Sequence, residues 1–181
     1  MRVTGGIFKG RLLKTAPGMA ARPTTDKVRQ SIFNILMNDI EGKTILDIFA
    51  GSGALGIEAL SRGAGPAVFI EIAHQQFIAI RRNLKSLDLQ EEIIQADYLK
   101  GCRQLAEEGR QFEIIFADPP YEKITPIEVI TAVLEYNLLA PGGFLIIEHK
   151  SGVVNSHEKM TLLKNRKFGQ TEVTFYASKK E

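Results

Sequence analysis

The sequence predicts an α/β fold with a doubly wound, mostly parallel sheet of seven strands that ends in an antiparallel hairpin. Five short apolar segments alternate with segments in which apolar residues recur at three- and four-residue steps, as expected for strands alternating with helices. The last part of the chain breaks this rhythm, because two strand-like segments follow each other without a helix between them. At 181 residues, of which 44% are hydrophobic, the chain has the size of a single domain with a full core.

Residues 1–43 are predicted to form a basic extension made of a hairpin and a helix. They carry eight Lys and Arg against three Asp and Glu, although the whole chain has a net charge of only +2. Val3 to Thr15 alternates through glycines as a short hairpin does, and a helix follows that Thr24 or Thr25 caps and that ends near Glu41-Gly42. This charge excess predicts a polyanionic partner, with simple solvation as the alternative.

The first parallel strand leads into a glycine turn. Thr44 to Phe49 is apolar and β-branched except for Asp47, and Ala50-Gly51-Ser52-Gly53 then provides residues that accept positive φ. Helical spacing resumes at Ala54, so the free N–H groups of that helix point into the turn and favour an anionic or carboxylate-bearing ligand. The glycine spacing alone also fits a dinucleotide site or a tight turn with no ligand.

The remaining elements are predicted in chain order from the same patterns. Strands are expected at 67–71, 92–96, 112–117, 144–148, 160–163 and 172–177, with a basic turn over 164–169. Helices are expected over 77–87, around Cys102, and over 127–139. The single cysteine, Cys102, excludes an internal disulfide and is predicted to pack on the core. The three histidines lack metal-ligand spacing, so no metal site is expected.

Four acidic residues stand at or near the carboxyl ends of the first four predicted strands: Asp47, Glu71, Asp97 and Asp118. Carboxyl ends of parallel strands meet at one edge of a sheet, where such folds bind ligands. Glu71 is placed to accept hydrogen bonds from two ribose hydroxyls, and Asp97 from an adenine amino group. No Lys or Arg near the glycine turn is available to hold a diphosphate, which argues against a dinucleotide. Capping of the following helix is the alternative for any one of these acids.

Asp118-Pro119-Pro120-Tyr121 follows the fourth strand and is the most specific short motif. The two prolines remove two N–H donors and hold the chain extended, so the Asp118 carboxylate and the Pro119 carbonyl are both acceptors for one amino group. An exocyclic amine of a nucleobase fits this pair, and Tyr121 would stack on an extruded base. A proline-rich strand exit covered by an aromatic ring is the alternative.

The Asp-x-Phe-x-Gly-x-Gly motif that begins at Asp47 and the Asp-Pro-Pro-Tyr motif together resemble amino-directed class I S-adenosylmethionine-dependent methyltransferases, which are Rossmann-like. With the segment Arg22-Pro-Thr-Thr-Asp-Lys-Val-Arg29, nearly the whole chain resembles the bacterial family that methylates N2 of a guanine in 16S ribosomal RNA. By that resemblance S-adenosylmethionine contacts Asp47, Phe49, Ala50, Gly51, Ser52, Gly53, Glu71, Ile72, Asp97, Tyr98 and Asp118. The acceptor site is Asp118, Pro119, Pro120 and Tyr121, and RNA contacts Arg2, Lys9, Arg11, Arg22, Thr24, Thr25 and Arg29.

The resemblance also implies a cytoplasmic enzyme that acts on 16S ribosomal RNA within a small-subunit particle containing ribosomal proteins. No apolar segment approaches the length of a membrane span. Two alternatives remain: a DNA amino-methyltransferase acting on adenine or cytosine, and a non-catalytic RNA-binding assembly factor. The first has little room for a separate target-recognition domain. The second leaves the intact acceptor motif without a purpose.

Overall fold

The structure, a computed structural model, describes residues 1–16, 26–37, 39–153 and 156–178. In this part of the chain five helices and seven strands form an α/β fold. The helices are α1 (Asp26–Ile35), α2 (Ala54–Ser61), α3 (His74–Ser86), α4 (Tyr98–Glu107) and α5 (Pro126–Glu135). The strands are β1 (Ile45–Ile48), β2 (Ala67–Ile70), β3 (Glu92–Ile94), β4 (Phe112–Ala117), β5 (Leu139–Lys150), β6 (Met160–Phe168) and β7 (Thr171–Ser178).

The sheet has the order β3-β2-β1-β4-β5-β7-β6, which confirms the predicted doubly wound topology. Strands β1 to β5 are parallel, whereas β7 runs antiparallel to both β5 and β6. The chain moves outward from β1 to β3 and then crosses back to β4, so the order reverses between β1 and β4. In such sheets the crevice at this reversal, at the carboxyl ends of the strands, is the ligand-binding position.

The sheet separates two apolar cores. All four residues of β1 and of β2 are buried, as strands covered on both faces should be. One core joins the sheet to α1, α2 and α3, and the other joins it to α4 and α5. Cys102 lies in the second core with 0% exposure, as predicted, and burial raises the pKa of its thiol to about 12.

Two predicted helix ends are wrong. Helix α1 ends at Ile35, although the apolar spacing continues through the buried residues Leu36 and Ile40. Helix α5 ends at Glu135, because Asn137 adopts a left-handed conformation with φ of 50° and Leu138 N–H donates back to the Val133 carbonyl. Apolar periodicity persists through these turns, so it does not mark the ends of the helices.

The turn predicted over 164–169 is also wrong, because β6 continues to Phe168 and pairs there with Thr171 of β7. Gly169 and Gln170 alone join the two strands, and Gly169 takes φ of 63°, which suits a tight hairpin turn. The basic residues of this segment therefore lie on an edge strand. Charged side chains, lysine especially, are common on such strands because they oppose pairing with another chain.

The N-terminal segment, residues 1–16, packs on α2 and α3 and forms one isolated antiparallel bridge between Arg2 and Leu12. Val3 and Leu13 are each 2% exposed and belong to the same core as α1 to α3. Thr4 N–H donates to Glu58 of α2 at 2.8 Å. The segment is thus built into the body of the fold. None of the described helices is both long and apolar enough to cross a membrane.

Candidate active site

The four acidic residues lie at the predicted edge of the sheet. Asp47 is the third residue of β1, and Glu71 follows β2 directly. Asp118 follows β4 directly, and Asp97 lies between β3 and α4. The four strands are consecutive neighbours in the sheet, so these carboxylates line one rim across the reversal point.

The glycine turn between β1 and α2 contains three residues with positive φ. Gly51 and Gly53 take φ of 57° and 77°, as their sequence positions predicted. Phe49 takes φ of 63°, which the sequence gave no reason to expect of an aromatic residue. The third glycine of the motif, Gly56, has a packing role, because a Cβ atom there would lie 2.3 Å from the Phe69 ring.

Glu71 is 8% exposed and holds the glycine turn against the loop that begins α3. Its Oε2 accepts a hydrogen bond from Gly51 N–H at 2.8 Å, and its Oε1 accepts one from Ala73 N–H at 2.7 Å. A carboxylate oxygen has more than one lone pair, so each oxygen retains the capacity to accept from a ligand hydroxyl. The neighbouring Ile72 is 64% exposed at the same rim.

Asp47 supports the turn from inside the fold. It is 2% exposed, and its Oδ2 accepts a hydrogen bond from Gly56 N–H at 2.9 Å. Burial raises the pKa of this carboxyl from 3.8 to about 7, the Gly56 hydrogen bond opposes that rise, and the charge of Glu71 adds to it. The Asp47 carboxylate therefore has little exposed surface with which to make the predicted contact to a cofactor.

Asp97 caps α4, since its Oδ1 accepts a hydrogen bond from Leu99 N–H at 3.0 Å. This is the capping role that the sequence left open as an alternative, and it occupies one of the two carboxylate oxygens. The next residue, Tyr98, packs its ring against that of Phe49 with centroids 4.9 Å apart. Two predicted cofactor residues, one in the glycine turn and one at the start of α4, thus form one aromatic pair at the rim.

The acceptor motif is tied to β5 by a hydrogen bond that the sequence analysis missed. Tyr121 Oη donates to Glu148 Oε1 at 2.9 Å, and Glu148 is 4% exposed. Burial and the charges of Asp118 and Glu148 raise the pKa of the Tyr121 hydroxyl, so it stays protonated and donates. Glu148 was predicted to end the fifth strand, and the same strand-end rule that selected the four rim acids would have selected it.

The residues predicted to contact RNA do not form one group. Arg2, Lys9 and Arg11 are exposed on the N-terminal segment, with Arg11 Nη2 donating to the Ser86 carbonyl of α3 at 2.7 Å. The other predicted contacts in this region, Arg22, Thr24 and Thr25, lie outside the described residues.

The assignment of Arg29 to RNA binding is wrong, because its side chain is 0% exposed. Its Nη2 lies 2.7 Å from Asp26 Oδ1, and its Nε lies 3.3 Å from Glu58 Oε2, an ion-pair contact without hydrogen-bond geometry. Nη2 also donates to the Arg2 carbonyl. Arg29 therefore joins α1, α2 and the N-terminal segment inside the protein and cannot reach a phosphate.

Replacing Glu71 by alanine is expected to weaken binding of S-adenosylmethionine by about 1.5–3 kcal/mol, the usual contribution of a hydrogen bond to a charged group. The expected loss has two sources, since the substitution removes the acceptor predicted for the ligand and releases Gly51 N–H from its partner. Titration calorimetry measures the affinity.

Glu91→Ala is the matched control for this prediction, because Glu91 also accepts a backbone hydrogen bond, from Ala67 at the opposite end of β2. Equal affinities of wild type and Glu71→Ala would remove Glu71 from the cofactor site.

Comparison with known proteins agrees with this geometry. The chain is 38% identical over 180 residues to YlbH of Bacillus subtilis, named as a candidate rRNA methyltransferase, covering 97% of this chain and 98% of that protein. It is 33% identical over 180 residues to ribosomal RNA small subunit methyltransferase D of Haemophilus influenzae, covering 97% and 93%. The solved structure of yhhF from Escherichia coli, a candidate methyltransferase, superposes with a TM-score of 0.88 at 31% identity, covering 100% of this chain and 99% of that one.

The fold and the rim define a class I methyltransferase, the class whose members take their methyl group from S-adenosylmethionine. Residues 1–177 match the family described as Conserved hypothetical protein 95. The chain belongs to that family and is homologous to the ribosomal RNA small subunit methyltransferase D proteins, which confirms the resemblance seen in the sequence.

Proposed function

We propose that this protein transfers a methyl group from S-adenosylmethionine to the N2 amine of a guanine in 16S ribosomal RNA. The observation that carries the proposal is the Asp118-Pro119-Pro120-Tyr121 motif, which directly follows β4 and is joined through Tyr121 to the buried Glu148. This motif is next to β1 and its glycine turn in the sheet order. The names of its relatives support ribosomal RNA of the small subunit as the substrate.

The residues at the rim suit S-adenosylmethionine. The turn with Gly51 and Gly53 leaves backbone open to a close ligand, and the Glu71 carboxylate suits the ribose hydroxyls. The Phe49 and Tyr98 rings suit the adenine, together with the second oxygen of Asp97. When bound, this cofactor supplies an electrophilic methyl group on a positively charged sulfur.

The acceptor motif then orients the amine. Its lone pair is delocalised into the purine ring and is a weak nucleophile until the amino hydrogens are drawn out of the ring plane. The Asp118 carboxylate and the Pro119 carbonyl can each accept one of these hydrogens, which leaves the lone pair directed at the methyl carbon. The amine would form a bond to the methyl carbon as the methyl–sulfur bond breaks, which leaves S-adenosylhomocysteine as a neutral thioether. The methylated amine would then lose one proton to the Asp118 carboxylate or to water.

We further propose that residues 1–43 serve as the RNA-binding extension of a single domain spanning 1–181, with exposed Arg2, Lys9 and Arg11 as phosphate contacts. Hydrogen bonds from this segment to Glu58 and to Ser86 fix it beside α2 and α3, which supports a preformed surface. The substrate would be a small-subunit particle in the cytoplasm.

Methyl transfer from labelled S-adenosylmethionine tests the proposal. Purified 16S RNA, small-subunit particles lacking the modification, and DNA are compared as substrates, and the modified nucleoside is identified by mass spectrometry. We expect N2-methylguanine in the RNA samples only. Labelled N6-methyladenine or N4-methylcytosine in DNA would support a DNA amino-methyltransferase, and RNA binding without transfer would support an assembly factor.

Tyr121→Ala is expected to weaken productive binding of the target base by about 1–3 kcal/mol, because stacking on an aromatic face contributes that much per base. Tyr121→Phe keeps the ring but removes the donor to Glu148, so we expect a smaller loss than for alanine. Single-turnover methyl transfer over a range of RNA concentrations measures both. Equal losses in the two variants would show that the hydroxyl, and not the ring face, is what the site needs.

A further inference from the structure

We infer that β6 is a second RNA-contacting element, on the acceptor side of the site and separate from the N-terminal segment. This inference rests on the proposed RNA substrate. Three cations within four residues of this strand, Lys164, Arg166 and Lys167, carry it. Arg166 and Lys167 are exposed and Lys164 is half-buried. None of the three forms an ion pair with a described residue, whereas Arg29, Lys43, Arg62 and Arg110 all do.

The strand register places these cations level with the acceptor site. Arg166 pairs with Val173 of β7, and Val173 pairs in turn with Glu148 of β5. Arg166 therefore lies two strand spacings, about 10 Å, from the residue that holds Tyr121. Lys167 is one residue further along and is level with His149 through Glu172.

The pleat directs the side chains to both faces of the sheet. Paired residues point to the same face, and Val173 and Phe175 belong to the core shared with α1. Lys164 pairs with Phe175 and Arg166 with Val173, so both cations point to that face. Glu148, which also pairs with Val173 and accepts the hydrogen bond from Tyr121, points to the same face. Lys167 points to the opposite face beside the Glu172 carboxylate, which itself accepts a hydrogen bond from Asn165 at 2.9 Å. The cations thus flank the edge of the sheet beside the acceptor motif.

RNA is the partner that this charge fits. A target base drawn into the acceptor site leaves its neighbouring phosphates at the rim. The cations of β6 lie about 10 Å from Glu148 at that rim, and their long side chains bring them within reach of these phosphates. The exposed Leu162 and Leu163 on the same strand would instead suit a protein partner. The lysine-rich edge opposes pairing with another strand, which makes protein docking through the backbone the weaker alternative.

The test replaces Lys164, Arg166 and Lys167 together by glutamine and measures the affinity for naked 16S RNA over a range of salt concentrations. Each single-stranded phosphate contact contributes about 0.7 to the slope of log affinity against log salt, so we expect the slope to fall by about 2. Raising the salt from about 50 to about 200 mM should then cost the wild type about 16-fold more affinity than the variant. Affinity for S-adenosylmethionine should stay the same.

A matched control replaces Lys100 and Arg103 by glutamine. These two exposed cations also form no ion pair with a described residue, but they lie on α4, on the face of the sheet opposite to the N-terminal segment. We expect the slope of log affinity against log salt to change by less than one in this control variant. A second variant, with Lys164 and Lys167 replaced by arginine, retains the charge and should bind RNA as the wild type does, which separates charge from folding.

An unchanged salt slope in the glutamine variant overturns the inference, whether or not binding to protein-containing particles falls. An equal change in the α4 control overturns it as well, because the effect would then follow net charge alone. If the wild type methylates 16S RNA while the β6 slope is unchanged, this inference fails and the proposed function stands. A wild type that neither binds nor methylates 16S RNA, either naked or in small-subunit particles, overturns both.

Discussion

Replacing Asp118 by alanine is expected to lower the single-turnover rate of methyl transfer by about 100-fold or more, because a small misplacement of a reacting group costs that much. Asp118 directly follows β4, so its backbone is fixed by the sheet, and its charge is close enough to raise the pKa of Tyr121. Without it the amine keeps only the Pro119 carbonyl as an acceptor. Rapid-quench assays with saturating RNA and labelled S-adenosylmethionine measure the rate.

Asp118→Asn distinguishes positioning from proton removal. Asparagine retains a carbonyl acceptor of the same shape and loses only the charge, so a positioning role predicts measurable turnover for this variant. Cofactor and RNA affinities are measured separately, since Asp118 is also a candidate cofactor contact. If the asparagine and alanine variants are equally inactive while both bind cofactor and RNA, the charge of Asp118 is essential and positioning is not its main role.

Replacing Arg29 by alanine is expected to destabilise the protein by about 3–5 kcal/mol, the usual cost of removing one partner of a buried ion pair. The side chains of Arg29 and Glu58 are 0% and 1% exposed, so water cannot replace Arg29, and Glu58 would keep only Arg62 and Thr4 as partners. The substitution also frees the Arg2 carbonyl and Asp26. Urea denaturation monitored by circular dichroism measures the loss.

Arg62→Ala is the control for the buried pair, because Arg62 contacts the same Glu58 at 2.9 Å but its side chain is 19% exposed. A partly hydrated pair contributes less, so we expect a clearly smaller loss of stability. RNA binding by the folded Arg29→Ala protein should keep the salt slope of the wild type. An unchanged stability together with a flatter salt slope would restore Arg29 as an RNA contact.

The sequence was sufficient for β1 to β4 because each is a short, largely apolar segment followed within three residues by an acid or a glycine. The fifth parallel strand, β5, is longer than predicted, since it begins at Leu139 and runs through Pro141 and two glycines. Asp118-Pro119-Pro120 ends β4 where the pattern predicted, and Glu71 begins the loop after β2. The element ends were less certain, since apolar spacing continues past the end of α1 at Ile35. Local patterns record which residues are buried more reliably than they record backbone conformation.

The site residues that sequence reasoning misjudged all depend on long-range contacts. Arg29 looked like a surface cation because its partner Glu58 is on another helix. The position of Glu148 at a strand end marked it as a candidate, but its partner Tyr121 is 27 residues away and could not be identified from the sequence. Phe49 takes positive φ in a turn that Glu71 holds from the next loop. Charge and propensity along the chain do not reveal such pairs.

The contacts of the N-terminal segment delay its own folding during protein synthesis. Thr4 bonds to Glu58, Lys14 to Asn83 and Arg11 to Ser86, at sequence separations of 54, 69 and 75 residues. At about 5–20 residues per second, a ribosome needs roughly 4–15 s to make the chain between the last of these pairs. During that time the basic segment, with the apolar residues Val3 and Leu13, has no surface to pack on. The N-terminal segment is therefore translated before the helices on which it packs, but folds after them.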